Sequence, residues 1–315
     1  MSSGNTVYRF TDGGALLNSA QVDSANVLAQ GLSFGPDGRL YAAISNGGNR
    51  VVSFDPDLSN LHAFVSEGQG GIFTPYGLAF SGGGDLYAAA YNQQAIDRYA
   101  GPNAATPGAN EPNPGNSGAV FAGSTGNVVG LAFLSDNTLY TTRAQNNGEV
   151  DLVGDTGSLT PVAVGLGSAS IGGVAVSPDG AKLFVQDANT VLRYTINADR
   201  TLQQDSFTLH YSEGTTISNG VGIAFGPDGA LYETSGRMNN TANLPADSNT
   251  DWVIRIDPLS GGVTRFVTGG ANSFNPSNTT FLTFSTPEPT TAAVLGMGLF
   301  GLLGRRPRRG SRPVV

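Results

Sequence analysis

The sequence predicts an all-β fold, a six-bladed β-propeller, from three observations. They are an internal repeat of blade length, turn chemistry at a fixed place in each repeat, and chain ends that complete one another.

The repeat is read first. Gly31-Leu32-Ser33-Phe34-Gly35-Pro36-Asp37-Gly38-Arg39-Leu40-Tyr41 has relatives at Gly77-Leu78-Ala79-Phe80, Gly130-Leu131-Ala132-Phe133, Gly173-Val174-Ala175-Val176 and Gly222-Ile223-Ala224-Phe225. Starts at 31, 77, 130, 173 and 222 give spacings of 46, 53, 43 and 49, the length of four short strands rather than a helical repeat. The apolar run is strand one, small enough for a crowded axis. Pro-Asp-Gly (Asp37, Asp179, Asp228) reverses the chain, because proline presets φ and glycine accepts a positive one. Leu-Tyr-Ala is strand two. Alternating segments such as Arg50–Asp55, Val191–Tyr194 and Trp252–Asp257 are strand three. Leu61–Val65, Ala119–Ala122, Phe207–Tyr211 and Val263–Val267 are placed as strand four.

Two insertions account for the longer spacings. Residues 101–118 and 236–251 lack apolar periodicity and are expected as surface loops, free to move and placed where binding residues often lie.

The chain opens on Thr6–Phe10 and Ala15–Leu17, which read as strands three and four of a unit. Thr280–Phe284 reads as an isolated first strand. Joined, they make a sixth blade shared by both termini and hide sheet edges that would otherwise pair with other chains. Its second strand is expected to be missing, since in the repeat it would end where Met1-Ser2-Ser3-Gly4 begins.

Composition bounds the function. Of 315 residues, 45 are glycine and 17 proline, a density suited to many tight turns, and 39% are hydrophobic, enough for a core. The net charge is −8, and five of the basic residues (Arg305, Arg306, Arg308, Arg309, Arg312) lie beyond the last apolar stretch. Without those five arginines the chain carries −13. Such a surface repels phosphate backbones, so nucleic acid is excluded as a partner, while divalent cations are attracted. With no cysteine, there are no disulfides, thiolate catalysis or zinc-thiolate sites.

Residues 286–315 are set apart as a tail. Pro287-Glu288-Pro289 precedes an apolar stretch, Ala292–Gly304, and then Arg305, Arg306, Arg308 and Arg309. That order resembles the PEP-CTERM sorting signal of exported proteins of Gram-negative bacteria. The resemblance implies export, transient anchoring in the inner membrane, recognition at Pro287, Glu288 and Pro289 by an exosortase, and the four arginines as a stop signal. As a helix, Thr290–Gly304 is roughly 22 Å long against a hydrocarbon core of about 30 Å, which suits a transient anchor. Such proteins carry an N-terminal signal peptide, and Met1–Asn5 offers neither a basic region nor an apolar one. The expectation is a misassigned or truncated start, which would remove the signal and the missing strand together.

Over residues 1–285 the repeats resemble NHL-type and gluconolactonase-like six-bladed propellers. The resemblance implies a divalent metal held at the axis by glutamate, asparagine and aspartate in the lactonases. The first strands here hold no acidic residue, a departure that argues against that activity. His62 and His210 fall in outer strands, far from an axial pocket and from each other, which also argues against a histidine-dependent lyase. The Pro-Asp-Gly aspartates, with Asp55, Asp57 and Asp257, read as turn formers, since one aspartate per hairpin does not make a calcium site. No cofactor is expected, calcium being the one metal left open.

Residues ending the second strands are the candidate ligand rim: Ser45, Asn46, Tyr91, Asn92, Arg143, Gln145, Asp187 and Arg237. Polar side chains with one aromatic suit a carbohydrate or small polar ligand, and equally a solvated rim. Two functions follow: a non-catalytic surface or matrix propeller binding glycans or proteins, or an exported metal-dependent enzyme of lactonase or lyase type.

Overall fold

The computed structural model describes residues 1–23, 27–124, 126–166, 171–187, 190–210, 222–234, 251–268 and 281–285. The sorting motif, the stop arginines and the apolar stretch lie outside the described residues, as do Thr280, Arg237 and most of the 236–251 insertion. Among the described residues no helix is long and apolar enough to cross a membrane.

The fold is a six-bladed β-propeller. The chain opens with β1 (Ser2–Ser3), β2 (Thr6–Phe10) and β3 (Leu16–Gln21), hydrogen-bonded in that order. Blade one follows as β4 (Leu28–Phe34), β5 (Leu40–Ser45), β6 (Arg50–Phe54) and β7 (His62–Val65). Blade two is β8 (Pro75–Phe80), β9 (Leu86–Ala90), β10 (Ala95–Tyr99) and β11 (Val120–Gly123). Blade three is β12 (Asn127–Phe133), β13 (Leu139–Ala144), β14 (Glu149–Val153) and β15 (Leu159–Val164). Blade four is β16 (Ile171–Val176), β17 (Lys182–Asp187), β18 (Thr190–Ile196) and β19 (Leu202–His210). Blade five is β20 (Ile223–Phe225), β21 (Leu231–Thr234), β22 (Asp251–Ile256) and β23 (Val263–Thr268).

The sixth blade corrects one expectation. Its second strand is present as β1, whose Ser2 and Ser3 pair with Val7 and Thr6. Phe281–Phe284 lies at its inner edge, where the Ser2 N–H donates to the Phe281 carbonyl at 2.9 Å and the Phe281 N–H donates to the Ser2 hydroxyl at 3.2 Å. Residues 281–284 are not a strand of the β1–β2–β3 sheet.

Among the described residues each junction between blades has its own apolar core, six in all. The repeat explains their chemistry. The tyrosine of Leu-Tyr packs edge-on against a phenylalanine of its own outer strand and against the last residue of the next blade's first strand. Tyr41 does so with Phe64 and Phe80, and Tyr87 with Phe121 and Phe133. Tyr232 meets Phe266 and Phe284, which places Phe284 in the sixth blade. Such pairs contribute about 0.5–1.5 kcal/mol beyond their burial.

The repeat glycine has a separate cause. In the first four blades the first strand breaks register just before its own apolar residue after the glycine, between Ala29 and Leu32, Pro75 and Leu78, Val128 and Leu131, and Ile171 and Val174. The glycine sits in that bulge, against the backbone of the next blade. A Cβ on Gly31 would stand 2.0 Å from the Tyr76 carbonyl, and one on Gly77 2.5 Å from that of Val129. Only glycine permits the approach.

Hydroxyls on the second strands staple these bulges. Thr142 Oγ1 accepts from the Gly130 N–H at 2.8 Å and donates to the Gly172 carbonyl of the next blade at 2.7 Å. Ser2 Oγ donates to the Gln30 carbonyl at 2.7 Å. The 101–118 insertion is fastened rather than free: Gly108 and Asn113 are buried, and Gln69 Nε2 donates to the Gly108 carbonyl at 2.6 Å.

Candidate functional site

Around the axis the first strands turn their unpaired edges inward. Between the bulge glycines and the Pro-Asp-Gly turns they enclose a channel of about 370 Å³. Among the described residues its wall is mostly apolar side chains and open backbone, with Ser33 and Thr283 and no titratable side chain. The Pro-Asp-Gly aspartates close their own turns: Asp37 accepts from the Arg39 N–H at 3.2 Å and the Tyr41 hydroxyl at 2.9 Å, and Asp228 accepts from the Tyr232 hydroxyl at 3.0 Å. Asp55 pairs with Arg39, and Asp57 and Asp257 bond backbone N–H groups two residues on. His62 is exposed on β7, and His210 ends β19.

The opposite end of the axis differs. There the first strands begin and the second strands finish, since Leu28 pairs with Ser45 and Ile171 with Asp187. Among the described residues, buried polar atoms without a hydrogen-bond partner lie on strands at this end: Ser3 Oγ, Gln30 Oε1, Ser45 Oγ, both amide atoms of Gln186, and Asp187 Oδ1. A buried polar group left unpaired costs about 1–3 kcal/mol, so several at one end of a scaffold call for a ligand or water to meet them. Burial pushes the Asp187 carboxyl up to about 6. Glu233, on the neighbouring blade, is fully buried.

Two aromatics complete the mouth on blade two. Tyr76 precedes the bulge glycine and stacks on Tyr91, which follows strand two, at 4.6 Å between ring centres. Thr74 positions them. It holds φ at 52°, uncommon for a β-branched residue, and is secured by Asn49 Oδ1 on its N–H at 2.9 Å and by Asn92 Nδ2 on its hydroxyl at 2.9 Å.

The predicted rim is thus divided. Tyr91 and Asp187 stand at the mouth, Asn92 is exposed beside Tyr91, and Asn46 is exposed in a left-handed turn at φ 53°. Ser45 is wholly buried. Arg143 is not a rim residue: it is buried, its Nε 2.5 Å from Asp151 Oδ2 and its second nitrogen 2.7 Å from Glu149 Oε2. Gln145 donates to Glu149 at 2.8 Å and belongs to the same network. Sequence reasoning missed Gln30, Tyr76 and Gln186. A polar or aromatic residue just before the repeat glycine was the available sign for the first two.

A calcium or other divalent ion needs several converging oxygens, carboxylates among them. Among the described residues no three histidine, aspartate or glutamate side chains come together in a way that could hold one. Among the described residues this end brings amides, hydroxyls and two carboxylates, Asp187 and Glu233, on separate blades.

No protein family and no curated protein matches the sequence. Solved structures do match in fold. A chain of the nidogen/laminin complex is 11% identical at a TM-score of 0.59, covering 85% of this chain and 91% of that one. A putative gluconolactonase is 16% identical at 0.58, covering 85% of each. Regucalcin, a calcium-binding protein of Agrobacterium tumefaciens, is 14% identical at 0.56, covering 82% of this chain and 79% of that one. At these identities the likeness is one of architecture alone.

Proposed function

We propose that this chain is an exported, non-catalytic binding propeller that holds a neutral polar ligand, of carbohydrate kind, at the mouth opposite the Pro-Asp-Gly turns. The observation that carries this reading is the gathering there of unpartnered buried amide and hydroxyl groups (Gln186, Gln30, Ser45, Ser3) beside the Tyr76–Tyr91 stack. Neutral donors and acceptors match sugar hydroxyls, and aromatic faces match the apolar face of a pyranose. Export, surface location and processing by an exosortase rest on the order of Pro287-Glu288-Pro289, the apolar stretch and the arginines. Binding of the intact chain to an array of surface polysaccharides, lost in Tyr91→Ala and Gln186→Leu, tests the ligand. Unchanged binding in both variants overturns it.

A second reading, an enzyme of lactonase or lyase type, is favoured by one observation. Asp187 and Glu233 are buried carboxylates on adjacent blades, and burial sets the first at about 6, within range of proton transfer at neutral pH. Lactone hydrolysis by the purified chain, abolished in Asp187→Asn, would establish it over the first.

A further inference from the structure

Asp97 is wholly buried on β10, and nothing in the mouth uses it. Its counterpart in blade three is Asp151, as the pairings Ala88 with Asp97 and Thr141 with Asp151 show. Asp151 has Arg143 for a partner. The same place in blade two holds Ala90, and among the described residues no cation acts on Asp97. Its partners are Gln93 Nε2 at 3.0 Å and the Tyr99 hydroxyl at 3.5 Å. The core that receives this face of β10 includes Ala43, Val51, Val65, Ile72 and Ala119. Among the described residues Gln93 and Tyr99 are the side chains that act on the Asp97 carboxyl, and Tyr41 of the same core bonds Asp37 at the far end of its strand. Arg98, paired with Glu111, alternates to the other face.

Tyr99 links Asp97 to the insertion. Its hydroxyl donates to the Gln69 carbonyl at 3.0 Å, and Gln69 Nε2 in turn reaches the Gly108 carbonyl at 2.6 Å and Asn110 Oδ1 at 3.2 Å. A phenol has one proton and here faces two acceptors. With Asp97 ionised, the carboxylate is the stronger acceptor and draws that proton from Gln69. With Asp97 protonated, its O–H donates to the Tyr99 oxygen and the Tyr99 O–H is left for Gln69, so the chain of bonds is complete.

We propose that Asp97 and Tyr99 form a proton-sensitive clasp that fastens the 101–118 insertion across the joint of blades one and two, tight when Asp97 is protonated and loose when it is ionised. Burial pushes the Asp97 carboxyl up to about 7, which puts the change within the physiological range. The geometry makes the insertion, rather than the rigid blades, the part whose exposure follows acidity.

Hydrogen exchange of the full chain, corrected for intrinsic rates, tests this from pH 8.5 to 5.5. Protection within 104–113 should rise about fivefold as pH falls, the equivalent of one ordinary hydrogen bond, with a midpoint near the Asp97 value. Asp97→Asn should hold protection at the high level at every pH. Tyr99→Phe, which keeps the ring and loses the hydroxyl, should hold it at the low level. A flat profile in the parent chain overturns the clasp, as does an unchanged profile in Tyr99→Phe, and neither outcome depends on whether Asp97→Asn folds.

Discussion

Arg143 holds Asp151 through two nitrogens, Nε at 2.5 Å and the second terminal nitrogen at 2.9 Å, with both side chains shut away from solvent. Removing one member of such a group strands the others, at a cost of about 3–5 kcal/mol. Arg143→Ala should therefore lower the midpoint of urea unfolding sharply. Replacing Arg143, Glu149 and Asp151 together by Met, Leu and Leu should recover most of that loss. Equal losses in the single and triple variants would show that the charges act in some other way.

The bulge glycines make a second prediction through contrast. In Gly77→Ala the new methyl meets backbone at 2.5 Å, so the cost should be about 3 kcal/mol or more. Gly38→Ala faces open space and bears only a left-handed φ of 78°, for roughly 1–2 kcal/mol. Denaturant melts of the two variants should rank them in that order.

The order of those glycines shows what the sequence could and could not reveal. Their spacing disclosed the blades because each blade repeats one backbone approach. The bulge itself was hidden, being a property of two strands in register. Arg143 read as a rim residue because it ends a second strand. What buries it, Asp151 and Glu149, arrives across a hairpin, where strand pairing rather than local pattern decides who meets. Gln186 sits at a position that other blades fill with Thr142, Thr234 or Ser2, and a lone glutamine in an alternating strand reads as surface. Of the expected Thr280–Phe284 strand, the described part was legible as the segment that meets Ser2 because it keeps the apolar spacing of the repeat even without its glycine.

Asp187 sets the sign of a pH effect. Its folded value, about 6, lies above the unfolded one of about 3.9, so the folded chain binds this proton more tightly. The resulting stability is fully present below about pH 4 and is lost as pH rises through about 6. Asp97, at about 7, adds a loss of the same sign at higher pH. Asp187→Asn should flatten the lower part of the decline and raise stability at pH 8 by about 1–3 kcal/mol, read from melts across pH.

Ser2 anchors the shared blade with its backbone and its hydroxyl. Ser2→Ala keeps the backbone bond and removes the bonds to Gln30 at 2.7 Å and from Phe281 at 3.2 Å. About 1–3 kcal/mol should be lost, a fall in Tm of roughly 2–10 °C for a chain of this size. A melt unchanged from the parent would assign the closure to side-chain packing alone.

The same blade has a mechanical consequence. Around the ring, successive blades are joined by covalent chain, but within the sixth β1 meets the 281–284 segment, nearly 280 residues away along the chain. A pull applied between Met1 and Phe284 would load the few contacts from Ser2 to Phe281 before any complete ladder. The ring's resistance to force is then that of its shortest strand, and its first rupture under tension would open a gap there while the five complete blades still held.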